Sequence, residues 1–325
     1  MAGTNLVNII IPEQFSEYTV LPTPNARRVV TSPVVANMQL ANLAEGGNSV
    51  TVRYFNEPSS DDEVMVGGTD LTDTPITSSS EFAIIRERAK SFADFDIAKY
   101  NAGADPVGQL ESFIRDTYWV DRYSADLKSV LTGVARSSAF SFLVNDVTGN
   151  VNSGFNVDNW LETRKIMGDQ YLKFTHLVVH SDTYTVMEAN NEITFERASE
   201  GAPFGVWRGL TLLVDDAVAP TWVVSATANF NAYATFAFAP ESVIVNVHPD
   251  GVNGMVMTEV EREGKSSLSR LITRRRYFMH LKGTKWVGTP AANSPTNDEI
   301  ATTTNWQNSY PLARQYPYVI CVHKN

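Results

Sequence analysis

Residues 255–286 read MVMTEVEREGKSSLSRLITRRRYFMHLKGTKW, and this stretch decides the architecture more than any other. Two runs, 255–261 and 268–286, lie either side of Gly264. Both mix apolar and polar residues at period two, so they specify the two arms of a long antiparallel ribbon. Alternation puts Arg274, Arg276, Phe278, His280 and Lys282 on one side of the second arm. Arg275, Tyr277, Met279 and Leu281 fall on the other. With Arg270 and Lys285 the ribbon carries a basic set: Arg270, Arg274, Arg275, Arg276, Lys282 and Lys285. Its bulky residues need a core. Its cations need solvent, an acidic neighbour or a polyanion.

Toward the N-terminus, residues 156–290 alternate helix and strand. The pattern predicts a helix over 157–172, a strand over 174–180, and a short helix capped by Ser181 and reaching Asn190. Strands follow at 209–214, 235–238 and 242–247. Before them stands the clearest helix. Asp105 is a good N-cap and Pro106 suits the first helical position. Val107, Leu110, Ile114, Leu127, Leu131 and Val134 then keep the spacing of one face as far as Arg136. A run of about thirty residues is long for a globular helix. Still earlier, Val50, Val52 and Tyr54 alternate as a strand, residues 57–80 are polar and turn-rich, and Phe82, Phe92 and Phe95 mark a returning strand. The simplest geometry is a long hairpin with a soft tip. Such a ribbon is marginal alone in water, so it is expected to lie on a neighbour. Residues 1–45 carry Pro12, Pro22, Pro24 and Pro33 with apolar residues between. Proline disfavours helix interiors and central strands, so this segment reads as an extended arm laid against another surface. The tail from Gly288 is rich in Pro, Asn and Thr and closes in a strand over 318–323. The fold class is α+β.

Composition narrows the function. The net charge of −10 is the wrong sign for a chain that grips nucleic acid over its whole surface, which leaves only a local patch for that role. The one cysteine, Cys321, can form neither an intrachain disulfide nor a Cys-based zinc site, and reads as a small apolar strand residue. No apolar run approaches the roughly 18 residues of a membrane span, and the N-terminus shows no cationic leader, so a soluble protein made in the cytosol is expected.

The candidate sites are few. His176 and His180 lie four apart, as two zinc ligands could, but no third ligand suggests itself and His180 stands just before a helix cap. Asp61, Asp62, Glu63, Asp70 and Asp73 cluster at the hairpin tip without the ligand spacing of a calcium loop. With Glu57 they make an acidic surface relieved only by Arg53, and a basic neighbour such as the ribbon would suit it. The phosphate-loop, dinucleotide-binding, nucleophile-elbow and HExxH patterns do not occur. No catalytic residue, metal or cofactor is assigned, and an enzyme is not expected.

The order of these elements resembles the Hong Kong 97-type capsid fold of tailed bacteriophages, and the sequence looks like one family of their major capsid proteins across nearly its whole length. The start Thr4-Asn5-Leu6, with Ile10-Ile11-Pro12-Glu13 and Phe15, carries part of the likeness. So do Phe55, Asp61-Asp62-Glu63-Val64 and Leu71-Thr72 in the hairpin. Gly168-Asp169, His180-Ser181, Tyr184, Gly209 and Val214-Asp215-Asp216 match the centre. The most specific set is Glu261-Arg262-Glu263, Arg274-Arg275-Arg276, Phe278, His280, Gly283 and Lys285-Trp286. Ser294-Pro295-Thr296-Asn297, Asn305-Trp306 and Val322-His323-Lys324 follow it.

The resemblance implies four parts: an arm (1–45), an extended hairpin (46–95), a peripheral domain with the spine helix (96–150 and 255–325), and an axial domain (151–254). It implies self-assembly into hexamers and pentamers of an icosahedral head enclosing double-stranded DNA. Partners would be a separate scaffolding protein, a portal protein, in some heads a cement protein, and DNA held by weak contact, with no membrane. The location would be the virion, assembled in the host cytoplasm. Lys is absent before Lys90, so the covalent crosslinking that some relatives make through a hairpin lysine is not expected. An encapsulin-like compartment shell and a soluble α/β enzyme with an unrecognised site are the alternatives.

Overall fold

A computed structural model describes residues 27–38, 47–58, 62–65, 67–68, 70–95, 113–196, 204–224, 230–248, 258–263 and 268–324. In chain order the strands and helices are β1 (Val35–Asn37), β2 (Ser49–Phe55), β3 (Ser78–Phe95), α1 (Trp119–Arg136), β4 (Val144–Asp146), α2 (Val157–Lys165), β5 (His176–Val179), α3 (Ser181–Ala189), β6 (Thr194–Glu196), β7 (Phe204–Trp207), β8 (Leu210–Val214), β9 (Thr221–Val224), β10 (Phe230–Phe238), β11 (Val243–Val247), β12 (Thr258–Glu263), β13 (Leu268–Leu281), β14 (Thr284–Trp286), α4 (Asn297–Ala301), β15 (Trp306–Asn308) and β16 (Tyr318–His323). The fold is α+β, as expected.

The ribbon forms as its alternation demands. β12 pairs antiparallel with β13, from Thr258 opposite Thr273 to Glu263 opposite Leu268, and Gly264 lies outside the described residues. β13 also pairs with the hairpin strand β3 and with β11. The two sides sort as period two requires. Met279 and Leu281 enter the main core, whereas Phe278 joins a small cluster with Val50, Ala83, Ile85 and Ile244 on the opposite face. The expected single strand over 268–286 is two strands, broken at Gly283. There φ is +85° and an added Cβ would lie 2.5 Å from the Tyr316 ring, so only glycine makes the turn.

The first sheet runs β1-β11-β13-β3-β14-β15, with β12 attached to β13 and β2 to β3. The second runs β4-β16-β10-β5-β8-β7-β6, with β9 attached to β10. The closing strand forms as expected over 318–323, and β16 sits inside the second sheet between β4 and β10. All six of its residues are buried, and a strand that is apolar on both faces belongs in a sheet interior. The strand expected over 242–247 is β11, which pairs with β13 in the first sheet. One hydrophobic cluster draws on both sheets and on α1, including Leu127, Phe236 and Trp286.

α1 supplies the spine. Leu127, Leu131 and Val134 are fully buried, as their spacing requires. A π-helical turn over Ile114–Tyr118 precedes it, and the expected start at Asp105 and Pro106 lies outside the described residues. Gly133 lets β15 press onto the helix, since a Cβ there would meet Trp306 Nε1 at 2.5 Å and the Ile300 carbonyl at 2.6 Å. The helix expected over 157–172 ends earlier. Gly168, at φ +57°, stops it, and a 3-10 turn over Gly168–Lys173 follows.

Candidate assembly interface

β2 and β3 form the base of the hairpin, with Ser49 opposite Ile84 and Phe55 opposite Ser78. Pairing continues one step, where Asn56 N–H donates to the Thr77 carbonyl at 2.9 Å. Beyond this the described residues are exposed. Arg53, Glu57, Asp62, Glu63, Asp70 and Asp73 all face outward, and Asp61 lies outside the described residues. The Thr72 side chain and then its N–H, which the Glu63 carboxylate accepts at 3.0 Å, hold the Glu63 pKa below the usual carboxylate value. The acidic surface is not alone. Phe55 is 80% exposed, Val64 and Met65 87% each, Leu71 61% and Ile76 76%. A polar reading of residues 57–80 passes over the exposure of Val64, Met65, Leu71 and Ile76 because turn residues outnumber them, although every one is visible in the sequence.

The basic ribbon is differently disposed. Its arginines find partners on their own chain. Arg274 pairs with Glu259 at 2.6 Å on the adjoining strand. Arg275 lies over the Trp119 ring at 5.4 Å and donates to the Arg274 carbonyl at 3.1 Å. Arg276 donates to the Gly47 carbonyl at 2.5 Å and stands 3.4 Å from Glu87, its cross-strand neighbour. Arg270, Lys282 and Lys285 are half-buried. The arginine face therefore locks the base of the hairpin to the ribbon.

Beneath it lies a buried charge network that periodicity did not reveal. Arg86 on β3 is fully buried and reaches Asp126 on α1 at 3.3 Å, and Tyr277 on β13 donates to the same carboxylate. Burial, reinforced by Asp126, pushes the Tyr277 pKa well above its ordinary value. The only sequence signal is an arginine directly after the apolar run Ala83 to Ile85. On the other face, Glu81 and His280 form a second buried pair. Burial and then Glu81 push the neighbouring Tyr310 phenol upward.

The root of the arm is also tied. Arg27 makes a two-pronged contact with Asp121, at 2.7 and 3.0 Å. Val29 N–H donates to Asp215 at 3.2 Å. Asp215 is 1% exposed, and burial raises its pKa. His180 is the N-cap of α3 and accepts the Asp182 N–H at 3.1 Å, whereas His176 Nδ1 lies 2.7 Å from the Thr175 hydroxyl. Each histidine has a local partner that accounts for it. Cys321 is fully buried in β16, and burial pushes its thiol up to about 12.

An extended hairpin bearing exposed apolar anchors, clamped to a spine helix and two sheets, defines a shell-forming subunit of the tailed-phage type. The solved structures it resembles have that fold. The capsid of cyanophage P-SCSP1u matches with a TM-score of 0.59 at 12% identity, over 86% of this chain and 92% of that one. The head of Helicobacter pylori bacteriophage KHP40 matches at 0.57 and 9%, over 100% and 98%. The major capsid protein of Bacillus phage SPP1 is 25% identical over 316 residues, 95% of each chain. The family model described as Major capsid protein 13-like matches residues 121–315, and the chain belongs to that family of tailed-phage major capsid proteins. The fold is the Hong Kong 97-type capsid fold, and the function is structural.

Proposed function

We propose that the chain assembles as hexamers and pentamers into an icosahedral head around double-stranded DNA, with the hairpin of each subunit laid on the next. The exposed side chains of Phe55, Val64, Met65, Leu71 and Ile76 carry this reading. Burying one such side chain is worth about 1.5–3 kcal/mol. An exposed ion pair is worth about 0–1 kcal/mol. The apolar anchors therefore supply the affinity. Attraction between the acidic tip (Glu57, Asp61, Asp62, Glu63, Asp70, Asp73) and a neighbour's Lys282 and Lys285 biases encounter and register. Arg270, Arg274, Arg275 and Arg276, already engaged within the chain, contribute less. Many such contacts sum over a closed shell.

Within the proposed division, residues 151–254 form an axial body and residues 96–150 with 255–325 a peripheral one, with β11 and β16 stitching the two together. Phe195 and Val223, 55% and 61% exposed on β6 and β9, suit contacts near a symmetry axis. The net charge of −10 favours weak contact with the genome. A separate scaffolding protein, a portal, a cement protein and assembly in the host cytoplasm rest on the likeness to tailed-phage coats. Subunits are held without covalent links, since no lysine lies on the hairpin before Lys90.

Sizing of the purified chain with negative-stain imaging tests the reading. Capsomers or large closed shells are expected, and DNA within shells from infected cells separates a phage head from an empty compartment. A small soluble oligomer at every concentration would overturn it.

A further inference from the structure

Arg86, Arg88 and Arg275 stand on one face of the paired strands β3 and β13, the face turned to α1. Tyr277 is the cross-strand partner of Arg86, and Arg88 lies directly opposite Arg275. Like charges directly opposite one another destabilise a ladder. Two of the three guanidinium groups have outlets at the rim. Arg88 donates to Ser294, the Pro295 carbonyl and Asn297. Arg275 lies over Trp119 and donates to the Arg274 carbonyl. Arg86 has none. It is fully buried, its Nη1 reaches Asp126 at 3.3 Å, and its Nε and Nη2 meet no acceptor among the described residues. A buried charged donor without an acceptor is costly, so folded chains supply one from protein, water or an ion.

Charge separates water from an ion. Asp126 and Tyr123 face the arginines from α1, Tyr277 faces them from β13, and Glu299 approaches Arg88 from α4. Burial pushes the Tyr123 phenol up to about 12 and the Tyr277 phenol well above its ordinary value, so both are neutral. Asp126 is shared between Arg86 and Tyr277. Glu299 accepts the Thr296 and Ala291 amides. Asp121, further along α1, is held by Arg27. Three guanidinium groups thus face two carboxylates, and only Asp126 reaches Arg86. A water molecule would satisfy the donors and leave the excess positive charge. A small anion answers both.

We propose that Arg86 Nε and Nη2 hold a small monovalent inorganic anion, chloride in ordinary buffers, where β3, β13 and α1 meet. The anion also offsets the repulsion between Arg88 and Arg275. The site lies within one subunit and stands apart from the assembly reading.

Urea unfolding of unassembled full-length subunits, with chloride exchanged for gluconate at constant ionic strength, tests it. A ligand bound by the folded chain alone multiplies the folding equilibrium constant by one plus the ratio of free ligand to its dissociation constant. Near saturation, about tenfold more chloride should therefore raise that constant about tenfold. Bromide should act in the same way. Arg86→Met should abolish the dependence. Should that chain fail to fold, Arg275→Gln, a half-exposed change, carries the test. It removes a positive charge beside the site and should move the chloride dependence to about tenfold higher concentration. Equal stability in chloride and gluconate would overturn the proposal and leave water as the acceptor. A chloride dependence that persists unchanged in Arg86→Met, or in Arg275→Gln where Arg86→Met does not fold, would place the anion elsewhere and overturn it as well.

Discussion

The ribbon and the hairpin share strand β3 but satisfy their side chains in opposite ways. Along Glu81–Arg86 the strand is enclosed. Arg86 meets Asp126, Glu81 meets His280, and Arg88 donates to the Pro295 carbonyl at 2.5 Å and to Asn297 at 3.2 Å. Before the strand begins, from Ile76 back through Leu71 to Met65, large apolar groups stand in solvent. The strand is satisfied within one subunit, whereas the segment before it is left open, and in the proposed assembly a neighbour covers it. A buried charge commits the fold because removing its partner is costly. An exposed apolar side chain adds nothing to the monomer, yet contributes when a second copy covers it.

Breaking the enclosed half should give the largest effect. Asp126→Ala leaves Arg86 buried without its counter-ion and Tyr277 without its acceptor, and should destabilise the subunit by about 3–5 kcal/mol. Urea unfolding of unassembled subunits measures it, and a loss below about 1 kcal/mol would show that the network is solvated. Breaking the open half should give the reverse signature. Met65→Ser together with Ile76→Ser should leave subunit unfolding within about 0.5 kcal/mol, as for surface changes. Assembly should weaken by about 1.5–3 kcal/mol for each anchor lost, seen as a raised critical concentration.

Charge should matter less. Asp62→Lys with Glu63→Lys should slow assembly at low salt and matter little above about 0.1 M, where the screening length is about 10 Å. Equal assembly rates at all salt concentrations would remove the electrostatic contribution. The smallest effect is local. The pKa of Glu63 is lowered by its bond to Thr72, so that bond's stabilisation is present above the ordinary carboxylate value and fades as pH falls through the lowered one. Proteolysis between β2 and β3 should accelerate in that acid window for the native chain, and a Glu63→Gln chain should show no such rise.

What could be read from the sequence follows the same division. The sides of β13 and the buried face of α1 follow from spacings of two and of three or four, which act over a few residues. The hairpin was legible for the same reason. The position of β16 was not, because it depends on pairing with β10 some eighty residues earlier. Nor were the stops at Gly168 and Gly283, where single positive-φ residues break longer patterns. Arg86 and Asp126 each look like surface charges until β3 and α1 are packed together. At the candidate site, Asp62 and Glu63 stood out by charge. Val64 and Met65, adjacent to them, carry more of the proposed contact but raise no flag in a segment dominated by turn residues.

The central claim is that the hairpin is completed by a neighbouring copy. Hydrogen exchange over residues 62–76, compared between dissociated subunits and assembled particles of the same chain, tests it most directly. The account predicts fast exchange in subunits and at least tenfold slower exchange in particles, with residues 127–134 of α1 protected in both. Equal exchange over 62–76 in subunits and particles would contradict it.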